Sequence, residues 1–201
     1  MTTDHAAIRH SLATRLVHAG LAIAVIIQLS TSLVMHAGRA GDPFFKVHSF
    51  SGLTAMVFVT LFWIVAVVRT SGTDPGMLLP WFSQARRRAL LQDIKTTLSA
   101  LGKGRLPPFK EASPLAAMVH GLGLLLMTAM ASSGTLYFFL SDTRLGFVEW
   151  VIEAHKLLAS LVWVYLIAHS FMALLHHFVE EISLSRMWSV TSNRRTPPGR
   201  K

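Results

Sequence analysis

The chain has 201 residues, 52% of them apolar and only 14% charged, with a net charge of +9 and no cysteine. The missing cysteines exclude thioether-linked haem c, thiolate-held iron–sulfur clusters and disulfides. The basic residues cluster in polar stretches beside long apolar runs, which favours a membrane protein with basic cytoplasmic loops over a nucleic-acid binder.

Residues 1–11 are a polar lead. The first apolar run, about 12–35 (LATRLVHAGLAIAVIIQLSTSLVM), is long enough to span a bilayer at ~20 residues. No small-residue cleavage motif follows it, so it is expected to be retained rather than removed as a signal peptide. A short loop, HAGRAGDPFFK, leads to a second span at about 47–68, closed by Arg69. Residues 69–112 form a long polar connection in which Pro75, Pro80, Pro107 and Pro108 rule out a span. Within it, residues 83–101 place Leu90, Leu91, Ile94, Leu98 and Leu101 at helical spacing opposite basic residues. That pattern fits a helix on the membrane surface, and equally a solvated helix packed on its own protein. The third span is about 113–139 and the fourth about 149–179, separated by LSDTRLGF. The tail, 180–201, is polar, ends SNRRTPPGRK, and reads as disordered.

Fifteen of the nineteen Lys and Arg lie in the lead and first turn of span one, the long connection and the tail. The two other connections hold only Arg39, Lys46, Arg144 and Lys156. Positive charge stays inside, so both termini should be cytoplasmic. The expected fold is all-α: an integral membrane four-helix bundle, up-down-up-down, forming a single domain.

The histidines carry the chemistry. Ionisable side chains inside a span are costly and usually have a function. His155 and His169, fourteen residues apart in span four, lie on nearly one face and roughly 21 Å apart along the axis. Two histidines so placed suggest two stacked metal centres, with haem the obvious candidate. By depth, His18 pairs with His169 toward the cytoplasm and His48 with His155 toward the outside. His120 lies at the cytoplasmic depth and can replace His18 or His169; His36 ends span one outside and can replace His48. Gly52, four residues after His48, leaves room for a porphyrin or simply for helix packing. His176 and His177 are candidates for haem propionates, a quinone pocket or a plain interfacial role. Lys156, Glu153 and Asp142 are outer-side candidates for a quinone site.

Several segments resemble the prokaryotic cytochrome b561 family: RLVHAG around His18, VHSFSG around His48, EAHKLLASLVWVYLIAHSFMALLHHF across 155–178, and SLSRMW near the end. The resemblance covers all four spans and is most specific in the fourth. It implies two non-covalent haem b groups with His18, His48, His155 and His169 as axial ligands, and electron exchange with membrane quinone; His120, by its cytoplasmic depth, is a candidate quinone or haem-edge contact. It also implies a bacterial inner membrane, a soluble or membrane-bound redox partner and a possible homo-dimer among lipid. Two features depart from the pattern: Ala19 stands where the family often has Trp, and the 69–112 connection is longer than in compact members. The long connection is similar to that of cytochrome b subunits of nickel–iron hydrogenases and formate dehydrogenases. A subunit of such a complex, or a superoxide:quinone oxidoreductase, is therefore an alternative to a free-standing carrier, and whether the chain is an enzyme in its own right stays open.

Overall fold

A computed structural model describes residues 11–36, 41–68, 75–105, 113–143 and 145–179. The helices are α1 (Leu12–Ser32), α2 (Pro43–Val68), α3 (Pro75–Leu78), α4 (Gln84–Gly102), α5 (Pro114–Leu140) and α6 (Val148–Val179), with a 3₁₀ turn at Pro80–Phe82. Among the described residues there is no strand. Four helices, α1, α2, α5 and α6, are long and apolar enough to cross a membrane.

Local chemistry sets the helix starts. The Ser11 hydroxyl accepts the Thr14 N–H at 3.1 Å, and the Ser113 hydroxyl accepts that of Ala116 at the same distance, each capping a first turn. Pro114 takes a position where a missing N–H costs nothing. Asp42 does the same work for α2, accepting the Phe44 and Phe45 N–H groups at 2.8 and 3.3 Å. With Pro43 as its first residue, α2 therefore begins four residues before the 47–68 run expected from apolarity. Prolines also start structure in the long connection: Pro75 opens α3 and Pro80 opens the 3₁₀ turn. The helix expected over 83–101 is α4. Pro107, Pro108 and the 180–201 tail lie outside the described residues.

The bundle packs in chain order, α1 on α2, α2 on α5 and α5 on α6, with α3 and α4 against α5. The core joins Leu21, Ala24 and Leu29 of α1, Ala55 and Val59 of α2, Met127 and Ala131 of α5, and Val162 of α6. Small residues recur there because close helix approach replaces hydrophobic drive inside lipid. The Trp63 indole N–H ties α2 to α5 by donating to the Thr128 hydroxyl at 3.0 Å. Each span also keeps large apolar side chains outward, such as Ile23, Ile64, Phe139 and Val164, as lipid contact requires. The end of α1 meets the start of α2, and the late part of α5 meets the early part of α6. Successive spans thus run in opposite directions, the up-down-up-down order expected.

Candidate functional site

Two pairs of histidines face each other across the bundle. His48, in the second turn of α2, meets His155 of α6 with ring centroids 6.4 Å apart and planes at 87°. His18, in the second turn of α1, meets His169 of α6 at 6.4 Å and 49°. All four are half-buried.

At the His48–His155 pair, neighbouring helices define which ring nitrogen carries the proton. His48 Nδ1 lies 3.2 Å from the Gln28 carbonyl and 3.1 Å from the Thr31 hydroxyl. Thr31 donates its own proton to the Ile27 carbonyl at 2.7 Å, so both neighbours of Nδ1 act as acceptors. His48 is therefore an Nδ1–H donor, and Nε2 keeps its lone pair. His155 repeats the arrangement. Its Nδ1 lies 3.0 Å from the Ser133 hydroxyl, which donates to the Met130 carbonyl at 3.0 Å. Gly134 makes room for this ring: a methyl group there would stand 2.8 Å from His155 Cε1. The Gln28 amide bridges α1 and α2 by donating to the His48 carbonyl and, at 2.7 Å, to the Ser51 hydroxyl. Gly52 lies under that amide, since a methyl there would come 3.1 Å from Gln28 Nε2.

The second pair is oriented by aromatic contacts. The Tyr165 ring stacks on His169 at 5.4 Å and 13°, and is itself seated on the bare backbone of Gly123. His120 meets His169 edge-on, also at 5.4 Å, and its Nδ1–H donates to the Ala116 carbonyl at 2.6 Å.

These spacings test whether the residues fit a haem. A metal–imidazole bond of ~2.0–2.1 Å plus about 1.1 Å from nitrogen to ring centre puts two opposed imidazoles on one metal ~6.3 Å apart. Both pairs match at 6.4 Å. The 5.4 Å between His120 and His169 is too short for opposed ligation, so geometry favours His18 over His120 as the partner of His169. Among the described residues no group of three or more His, Cys, Asp or Glu converges on a metal-ion site. Two imidazoles opposed at this spacing suit a macrocycle that would supply the remaining four ligands.

The other candidates fall elsewhere. His36 is exposed, with Nδ1 3.4 Å from Asp42 Oδ2. Asp42 also accepts the His36 backbone N–H at 2.7 Å; this bond first, then those from Phe44 and Phe45, holds its carboxyl below the ordinary value of 3.8 despite partial desolvation. Lys156 and Glu153 pair with each other at 2.7 Å on the surface, and Asp142 is exposed. His177 contacts Phe178 at 5.2 Å; the His176 side chain lies outside the described residues.

Four antiparallel spans presenting opposed histidines define a multi-pass membrane protein of the cytochrome b class. A sequence model of the family described as prokaryotic cytochrome b561 matches residues 9–190, nearly the whole chain. The chain belongs to that family, whose members are membrane haem b electron-transfer proteins. No curated protein and no solved structure matches it.

Proposed function

We propose that the chain binds two haem b groups, one between His18 and His169 and one between His48 and His155, and exchanges electrons between membrane quinone and a redox partner. The observation that carries this reading is the shared 6.4 Å spacing of the two pairs. The committed Nδ1 protons of His48 and His155 support it, because they leave Nε2 as the ligating atom at that site. When bound, haem b would supply one-electron chemistry, and two such groups would match the two electrons of a quinol.

The chain's own residues do the rest. Gln28, Thr31 and Ser133 hold the outer rings by accepting their N–H protons. Tyr165 and Gly123 hold the plane of His169. His120 is exposed at the edge of the second pair, with Nδ1 bonded to its own helix, and this exposed edge is where it would meet the hydroxyl or carbonyl of a quinone. By charge distribution, the His18–His169 pair and both termini face the cytoplasm of a bacterial inner membrane.

The test is a reduced-minus-oxidised visible spectrum with pyridine haemochrome quantitation on detergent-purified protein. The expected result is two haem b per chain with low-spin bands, falling to one in His18→Ala and in His48→Ala. Protein that is folded but haem-free would overturn the proposal. Reduction of the purified chain by quinol alone would mark a free-standing carrier, and a need for a co-purifying partner would mark a subunit.

A further inference from the structure

Helix α4 presents three separate faces, and among the described residues only one is covered. Leu90 and Asp93 are buried. Asp93, at the middle of α4, accepts the Ser113 hydroxyl at 2.7 Å and the Leu115 N–H at 3.2 Å. The midpoint of α4 is thus tied to the first turn of α5, where that span begins. At about 100° per residue, Leu91 and Leu98 fall within ~20° of one another, with Ile94 and Leu101 beside them. This arc points away from the bundle: Leu91 is 65% exposed, Leu98 62% and Leu101 52%. Arg88 and Lys95 border the arc on its far side, and Arg87 lies at its N-terminal end; all three are exposed. Ala85, Gln92, Thr96 and Ser99 form the remaining, uncharged face. Trp81 and Phe82, both exposed, precede the helix.

We infer that α4 lies flat on the membrane at the α5 N-terminal end, with its leucine arc in the acyl boundary and Arg87, Arg88 and Lys95 on the phosphates of anionic lipids. A helix lying beside a bundle at the bilayer surface needs its protein-facing side about a quarter turn from its lipid-facing side, a cationic border at headgroup level, and a polar side toward water. The faces of α4 follow that order. A soluble helix packed only on its own protein has no use for three large, adjacent, exposed leucines. The cationic border selects an anionic leaflet over a neutral one. Arg86 of α4 lies over Gly76 of α3, and the Leu78 carbonyl of α3 rests on Gly121, next to His120, so the anchorage has a packed path to the site.

The absence of cysteine makes a direct test clean. Single variants Leu91→Cys, Leu98→Cys, Gln92→Cys and Ser99→Cys of the full chain are nitroxide-labelled in nanodiscs of phosphatidylcholine with or without phosphatidylglycerol. Size-exclusion profiles check folding. Collision with oxygen and with a water-soluble nickel chelate is then measured. The expected result is a several-fold higher oxygen-to-nickel ratio at positions 91 and 98 than at 92 and 99 in anionic discs. Adding Arg88→Gln and Lys95→Gln should lower that ratio at position 98. Equal ratios at all four positions would overturn the inference in favour of a solvated face. Shielding from both reagents, or dipolar broadening between labels, would overturn it in favour of a protein partner or a second copy. Identical insertion with and without phosphatidylglycerol would overturn the assignment of anionic lipid.

Discussion

Ser133 of α5 accepts the Nδ1 proton of His155 of α6 at 3.0 Å while passing its own proton to the Met130 carbonyl. The serine thereby fixes the tautomer and increases the basicity of a candidate iron ligand from a different helix. Ser133→Ala removes this acceptor and weakens electron donation toward the metal. The oxidised state loses more than the reduced state, so the potential of that haem should rise by about 20–60 mV, given ~0.5–1.5 kcal/mol for a hydrogen bond and ~59 mV per tenfold for one electron. A redox titration resolving two centres checks this. Movement of the other centre, or of neither, would remove Ser133 from its role.

Gly134 is a steric test of the same site. A methyl at this position would stand 2.8 Å from His155 Cε1, closer than carbon atoms pack. Gly134→Val should displace the ring and halve the haem content, with the remaining haem spectrally unchanged. Retention of two haems would show that His155 has another seat.

His120→Ala separates two roles that the chain order left open. With both haems retained, reduction by quinol should slow by roughly a hundredfold, the lower end of proton-transfer effects. Stopped-flow reduction alongside haemochrome quantitation measures both. Loss of one haem would instead make His120 a ligand and reassign the cytoplasmic pair.

Asp42 gives a pH prediction outside the membrane. Its carboxyl sits below the ordinary value of 3.8, principally because the His36 N–H bonds to it. A carboxylate depressed in the folded state contributes stability that is complete above pH 3.8 and lost as pH falls through the lower folded value. Thermal unfolding of Asp42→Asn in detergent should begin below wild type at pH 6, and the gap should close under acid conditions. A gap that persists unchanged at low pH would mean that shape, not charge, is what Asp42 contributes.

Much of this was legible in the order of residues. Apolar length marks the four spans, and depth pairs His18 with His169 and His48 with His155 but leaves His120 and His36 as competitors, which only the ring spacings and the exposure of His36 separate. What escaped depends on helix rotation. Gln28, Thr31 and Ser133 read as ordinary polar residues in apolar runs, and only the register between helices aims them at Nδ1 atoms. Gly134 and Gly123 look like any small residue until His155 and Tyr165 are laid across them. Gly52 was identifiable as an opening beside His48, but the side chain that crosses it, Gln28, comes from another helix. The early start of α2 was hidden because Asp42 and Pro43 look like loop residues, yet together they cap and begin a helix. A residue six positions before Asp42 in a GRAGD loop gives an N–H to it, which no periodicity would reveal.

His155 and His169 belong to one continuous rod, α6, whereas the histidines opposite them come from α2 and α1. The interval between the two histidine pairs, and so between the centres proposed there, is thus set by fourteen rises of a single hydrogen-bonded helix. A shift of α1 or α2 can loosen the grip on one centre but cannot bring the centres closer together. Tunnelling rate falls exponentially with distance, so this architecture separates the quantity that governs speed from the quantities that govern affinity and potential. With a haem held at each pair as proposed, the bundle could breathe, or be tuned by substitution at either outer helix, while its internal transfer step kept a constant length.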